Sequence, residues 1–218
     1  MILFDKQLNV FHLSNDQISY LLQIEEGGNV AYLYFGKKIA HYSGGYRYPR
    51  IDRSFSPNPP DSSDRLFSLD TLMLEFPGNG FGDFREAAYT IRQSDGSRVS
   101  HFVFSDYQIQ QGKPALAGLP QTHGADDGIE TLILSLKDDV AGLELQLFYT
   151  IFEEAAVIVR SSKIINHGNQ PVTIEQLASQ ALDFPNRPFD LIHLPGAWAK
   201  ERQVTREPIN RGIKRLDS

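Results

Sequence analysis

Residues 143–149 read Leu-Glu-Leu-Gln-Leu-Phe-Tyr, with leucine at 143, 145 and 147 and tyrosine at 149. This period of two puts the four large side chains on one face of an extended strand and sends Glu144 and Gln146 to the other. A helical period of 3.6 would scatter them around an axis, so the stretch commits its neighbourhood to β-structure. The same pattern extends outward as β-branched or aromatic runs at 11–13, 18–24, 30–35, 99–107, 128–137, 156–166, 172–183 and 189–194. Turn signals separate them. Glu25-Glu26-Gly27-Gly28-Asn29 predicts a hairpin, and Asp95-Gly96 predicts a second one joining 82–91 to 99–107. No sustained heptad, internal repeat or low-complexity tail interrupts the series. Strands at this spacing imply an all-β domain, a large antiparallel sandwich filling residues 1–218.

One segment departs from the rhythm. Residues 43–82 contain Pro49, Pro57, Pro59, Pro60 and Pro77, among glycines and alternating charges, and are read as a long loop. Its Tyr46, Tyr48, Phe55, Phe67, Phe76 and Phe81 supply enough apolar surface to pack against something, a second subunit being one choice. Long ordered loops on a rigid sandwich often carry function.

Composition narrows the class. The chain of 218 residues is 41% hydrophobic with a formal net charge of −6, and its Lys and Arg are scattered, which argues against nucleic-acid binding. It has no cysteine, so no disulfide or cysteine–metal site is available, in keeping with a reducing cytoplasm. The first ten residues mix charged and apolar groups, unlike a signal peptide or membrane span. His12, His41, His101, His123, His167 and His193 are dispersed, with no metal-ligand spacing, and no metal or cofactor is expected.

Candidate chemistry gathers near the end of the chain. The only tryptophan, Trp198, stands between Gly196, Ala197, Lys200, Glu201 and Arg202. An aromatic plate beside charged hydrogen-bonding groups suits a sugar, which offers C–H patches and hydroxyls together; a core tryptophan is the competing reading. Asp83, Arg85 and Glu86 look like an acid/base group. Along a strand, however, Asp83 and Arg85 share a face while Glu86 points away, so an Asp–Arg pair closing the loop onto the sheet is expected instead.

Four segments carry a family resemblance: SFSPNP at 54–59, FGDFREAAY at 81–89, FYTIFEEAAVIVRS at 148–161 and LPGAWAKERQV at 194–204. Together, in this order, they resemble the amino-terminal domain of bacterial family 36 α-galactosidases of the melibiase type. The resemblance implies a β-supersandwich of the galactose mutarotase-like kind, followed in the family by a (β/α)8 barrel. It also implies retaining hydrolysis of terminal α-galactosyl groups from sugars such as melibiose and raffinose, without a cofactor, by a homotetramer. The two catalytic aspartates of the family lie on the barrel, which needs roughly 200 residues or more of its own. Residues 1–218 contain no such pattern, so no catalytic residue is assigned, and this chain alone is expected to be inactive and to associate with its barrel and with itself. The resemblance places Trp198 beside the galactose pocket. It matches Asp52 to an aspartate that reaches a neighbouring subunit's active site; a loop carboxylate that caps a turn or pairs with Arg50 or Arg53 is the alternative. A stand-alone mutarotase-like enzyme using a histidine acid and a glutamate base, or a carbohydrate-binding module, are the other readings. A final strand is expected at 212–216.

Overall fold

The computed structural model describes residues 1–52, 55, 58–59, 62–123, 128–184 and 187–216. The chain divides into two units, Met1–Asp183 and Phe184–Ser218.

Two antiparallel four-stranded sheets build the first unit. Strands β1 (Ile2–Asp5), β2 (Val10–Ser14), β3 (Ile18–Glu25) and β4 (Asn29–Lys37) form one sheet in that order. After β5 (Tyr89–Arg92), strands β6 (Val103–Gln111), β7 (Ile129–Asp138), β8 (Leu143–Phe152) and β9 (Ile158–Asn166) form the other. The alternation in β8 is realised: Leu143, Leu145, Leu147, Tyr149 and Ile151 are buried while Glu144, Gln146 and Phe148 are half-exposed. They join Leu132, Leu134 and Leu136 of β7 and, from the first sheet, Phe11, Leu13, Tyr20, Leu22, Val30 and Tyr32 in one core. Burying each such aliphatic side chain contributes about 1.5–3 kcal/mol, so the period of two is the main force closing the sandwich.

The hairpin expected at 25–29 is present, with Glu25 opposite Asn29 and Gly27 and Gly28 at φ 71° and 75°, a region that other residues enter only with strain. The second expected hairpin is not. Asp95-Gly96 does turn the chain, since the Gln93 amide donates to Ser97 O at 2.8 Å, but β5 pairs with β10 (Thr173–Leu177) and β6 pairs with β7. For β5 a partner about 80 residues away, and for β6 the next strand along the chain, outcompete the local turn.

Among its described residues the long segment at 43–82 is loop apart from a 3-10 turn at Leu69–Thr71 and isolated bridges at Leu74 (to Ala31) and Gly80 (to Asp83). Its packing partner is the chain's own first sheet. Tyr48, Phe67, Leu69, Leu72 and Leu74 bury themselves against Ala31 and Leu33, which face away from the sandwich core along β4, and Tyr48 OH donates to Tyr32 O. Phe76 reaches the main core and Phe81 stacks on His101 at 4.1 Å between centroids. Tyr46 and Phe55 remain exposed. Ser54, Ser56 and Pro57 of the 54–59 segment lie outside the described residues.

In the second unit, β11 (Asp190–His193) and β12 (Thr205–Pro208) make an antiparallel hairpin, with His193 opposite Thr205. The strand expected at 212–216 is absent. Gly212 sits at φ 113°, outside the extended region, and Lys214 turns to meet Glu207.

Candidate functional site

Trp198 lies in the loop 194–204 that joins β11 to β12. The base of that loop is clamped by His193 Nε2 to Glu207 Oε1 at 3.0 Å and by Arg206 to Asp190 at 2.6 Å. Within the loop the Lys200 amide donates to Ala197 O at 2.9 Å, closing a tight turn around Trp198 and Ala199. Ala199 and Arg202 adopt φ of 59° and 63°. Left-handed backbone at residues with a Cβ is strained and gathers at functional loops. The indole at the apex of this turn is 93% exposed, outside the core of this chain. Lys200, Glu201 and Arg202 are also exposed, and no ion pair among the described residues holds them. The loop thus offers an aromatic plate flanked by uncommitted charge, able to cover a sugar's C–H face while fixing its hydroxyls.

Asp52 belongs to the first unit. Its carboxylate is mostly exposed and lies 3.9 Å from the still more exposed Arg65, a contact of little energetic weight. Arg50, one of the two expected partners, is committed elsewhere: to Glu26 at 3.7 Å, to Asp64 at 3.5 Å, and over the Phe67 ring at 4.5 Å. Arg53 lies outside the described residues. Asp52 therefore presents a carboxylate whose ordering needs little to be undone.

Asp83 and Arg85 pair as expected, but not along a strand: β5 begins only at Tyr89, and 83–88 is bridge and loop, so the pair is made by the turn of the loop. Asp83 Oδ1 accepts from Arg85 Nε at 2.8 Å, and Arg85 Nη1 reaches Asp183 Oδ2 at 2.5 Å. Arg85 Nη2 donates to the carbonyls of Leu69 and Leu72 at 2.9 and 2.6 Å. One guanidinium thus staples the long loop, the 83–86 segment and the end of the first unit.

A second charged network went unread in the sequence. Glu75, buried between the sheets, accepts from Tyr20 OH at 2.7 Å and Tyr149 OH at 2.9 Å, and pairs with Arg160 at 2.9 Å. Arg160 also donates to Ala181 O at 3.0 Å and Glu75 O at 3.2 Å, and its guanidinium lies 4.8 Å from the centre of the Tyr149 ring. Burial pushes the Glu75 carboxyl up, opposed by Arg160 and the two phenols. Burial likewise raises Tyr20 and Tyr149, keeping both protonated as donors. The signals were a lone glutamate in Leu72-Met73-Leu74-Glu75-Phe76 and a lone arginine in Val157-Ile158-Val159-Arg160, each a charge in an apolar run that must find a partner.

The histidine–glutamate pairs do not form an acid/base cleft. His167 Nε2 touches Glu144 Oε2 at 2.9 Å, and His193 touches Glu207; groups clasping each other leave no room for a sugar ring between them. Among the described residues no cluster of three His, Cys, Asp or Glu could hold a metal ion.

The profile of the glycosyl hydrolase family 36 N-terminal domain matches residues 28–218. α-Galactosidase Mel36A of Lactobacillus acidophilus is 47% identical over 219 residues, which cover 100% of this chain and 30% of that protein. The crystal structure of the family 36 α-galactosidase AgaB from Geobacillus stearothermophilus superposes with a TM-score of 0.90 at 40% identity, covering 98% of this chain and 29% of that one. A variant of AgaA from the same organism, solved in complex with raffinose, superposes with a TM-score of 0.87 at 42% identity over 94% of this chain and 29% of that one.

Proposed function

The chain belongs to the glycosyl hydrolase family 36 N-terminal domains, and from this we propose that it is the non-catalytic first domain of a retaining α-galactosidase. The enzyme would hydrolyse terminal α-galactosyl groups of melibiose- and raffinose-type sugars. The observation that carries this reading is the strained, exposed Trp198 turn in a chain that superposes on family 36 α-galactosidases over nearly its whole length. Binding of raffinose by the AgaA variant supports the substrate class. Because the chain spans 30% of the length of Mel36A, the nucleophile and the acid/base are proposed to come from a (β/α)8 barrel in the remainder of a longer protein.

In this proposal Trp198 walls the galactose pocket with its indole face, and Lys200, Glu201 and Arg202 line the approach. Asp52 contributes a carboxylate that accepts two sugar hydroxyls, in the active site of a neighbouring subunit of a tetramer. Its weak tie to Arg65 suits that task, since little is lost when the pair opens. Two carboxylates on the barrel suffice for retention, so the proposal includes no cofactor. A cytoplasmic setting belongs to the same proposal and rests on the cysteine-free composition.

The test is the kinetics of Trp198→Ala and Asp52→Ala in the full-length enzyme. Loss of kcat/KM for raffinose with an unchanged melting temperature supports the assignment. Wild-type kinetics in both variants would leave this domain without a role in the pocket.

A further inference from the structure

Next to the loop 76–83 the first unit contains a cavity of about 40 Å3, bordered by Asn79, Phe81, Asp83, Tyr89, Ser100 and Phe102. Two of the residues lining it carry unpaired polar atoms. Asp83 Oδ2 and Ser100 Oγ are both buried, and neither has a hydrogen-bond partner among the described residues. Asp83 as a whole is 6% exposed and Ser100 3%.

Arg85 and Tyr89 are committed elsewhere. Asp83 Oδ1 accepts from the amide and Nε of Arg85 at 3.2 and 2.8 Å. Arg85 spends its other nitrogens on Leu69 O, Leu72 O and Asp183, so it cannot swing round to Oδ2. The Tyr89 hydroxyl donates to Ser100 O at 3.1 Å, not to Ser100 Oγ. The loop cannot collapse to close the space either: a Cβ on Gly78 would stand 2.0 Å from Tyr89 OH, so the backbone already presses on that phenol. An unpaired acceptor and an unpaired hydroxyl therefore belong to two residues that line one cavity, and they make no hydrogen bond to each other. Buried polar atoms left unsatisfied at this depth are rare in native proteins and mark a missing partner.

We propose that this cavity is a built site for an ordered water molecule that bridges Asp83 Oδ2 and Ser100 Oγ. The water donates one hydrogen to the carboxylate and accepts the serine hydroxyl's hydrogen, which meets both needs at once. Its space is adequate, since one water requires roughly 10–15 Å3 by this measure. A hard cation fits less well. Arg85 already faces the Asp83 charge, and Ca2+ or Mg2+ takes about six or more oxygen ligands where two unsatisfied side-chain oxygens are on offer. The water completes the hydrogen bonding of Asp83, which orients the Arg85 staple, and so ties the 80–85 loop to the segment leading into β6.

A crystal structure of this chain at a resolution that shows solvent tests the site directly. The expected result is a peak within about 2.6–3.2 Å of both Asp83 Oδ2 and Ser100 Oγ. Direct contact between the two side chains, no peak, or an ion inside a full oxygen shell would overturn it. Melting of Ser100→Ala supplies an independent readout. With the water present, removing the hydroxyl takes away one of its few partners and lowers Tm by about 2–4 °C. If the hydroxyl merely stands unsatisfied, its removal relieves a penalty, and an unchanged or higher Tm refutes the proposal.

Discussion

Replacing Arg160 with methionine removes the cation from the buried Glu75–Tyr20–Tyr149–Arg160 network while preserving most of the side-chain volume. The Arg160 and Glu75 side chains are 5% and 1% exposed, so solvent cannot replace what is lost. Breaking one partner of a buried ion pair costs about 3–5 kcal/mol. The hydrogen bonds to Ala181 O and Glu75 O add to the loss at about 1 kcal/mol each. Burial already pushes the Glu75 carboxyl up, so that group takes a proton once the guanidinium has gone, which holds the total near 3–5 kcal/mol. At about 2–4 °C per kcal/mol for a chain of this size, Tm falls by roughly 6–20 °C. Urea unfolding followed by far-ultraviolet circular dichroism measures it; fluorescence would not serve, since the sole tryptophan is exposed in the second unit. The double variant Glu75→Leu/Arg160→Met loses much less than the sum of the two single changes, because no charge is left uncompensated. A cost under about 1 kcal/mol for Arg160→Met, or strict additivity in the double variant, would refute the reasoning.

Three further outcomes follow from the same geometry. Hydrogen bonds from Arg98 at 2.7 Å and Arg92 at 2.9 Å hold the Glu175 carboxyl below its usual value of 4.5. A folded-state pKa that is depressed gives stability present above 4.5 and lost as pH falls through the folded value. The gap in urea midpoint between the wild type and Glu175→Gln is therefore open above 4.5 and closes as pH falls through the depressed folded value; a gap independent of pH counts against it. Trp198→Ala in the full-length enzyme forfeits about 1.5–3 kcal/mol of apolar cover on the sugar, roughly a 10–100-fold fall in kcat/KM, with Tm unmoved because the indole is exposed. Finally, Ile192, Leu194, Val204, Ile209 and Ile213 of the second unit are exposed, and this chain alone is expected to self-associate in light scattering with rising concentration; a monodisperse monomer is the contrary result.

The strands were legible where one face is buried and the other is wet, as at Leu143–Tyr149, because the pleat itself writes that alternation into the sequence. Strand partners were not. Asp95-Gly96 signals a local hairpin, yet β5 joins β10 from Thr173–Leu177, a choice made by side chains far apart in sequence. For the same reason the aromatic residues of the 43–82 loop announced that they would pack, while the surface receiving Tyr48 and Phe67, the outer face of β4, came from the structure. Among the candidate site residues, Trp198 and Asp52 were both legible as residue types; the strained turn that lifts the indole into solvent depends on φ at Ala199 and Arg202, which composition does not encode. Glu75 and Arg160 were visible as charges in apolar runs, but their pairing across 85 residues was not.

The most direct test of the central claim is hydrolysis of a chromogenic α-galactoside by this chain alone beside the full-length enzyme at equal molar concentration. Turnover by the full-length enzyme and none by the isolated chain is expected, because the reacting carboxylates are assigned to the barrel. Turnover by the isolated chain would contradict the claim and place a complete active site within the sandwich.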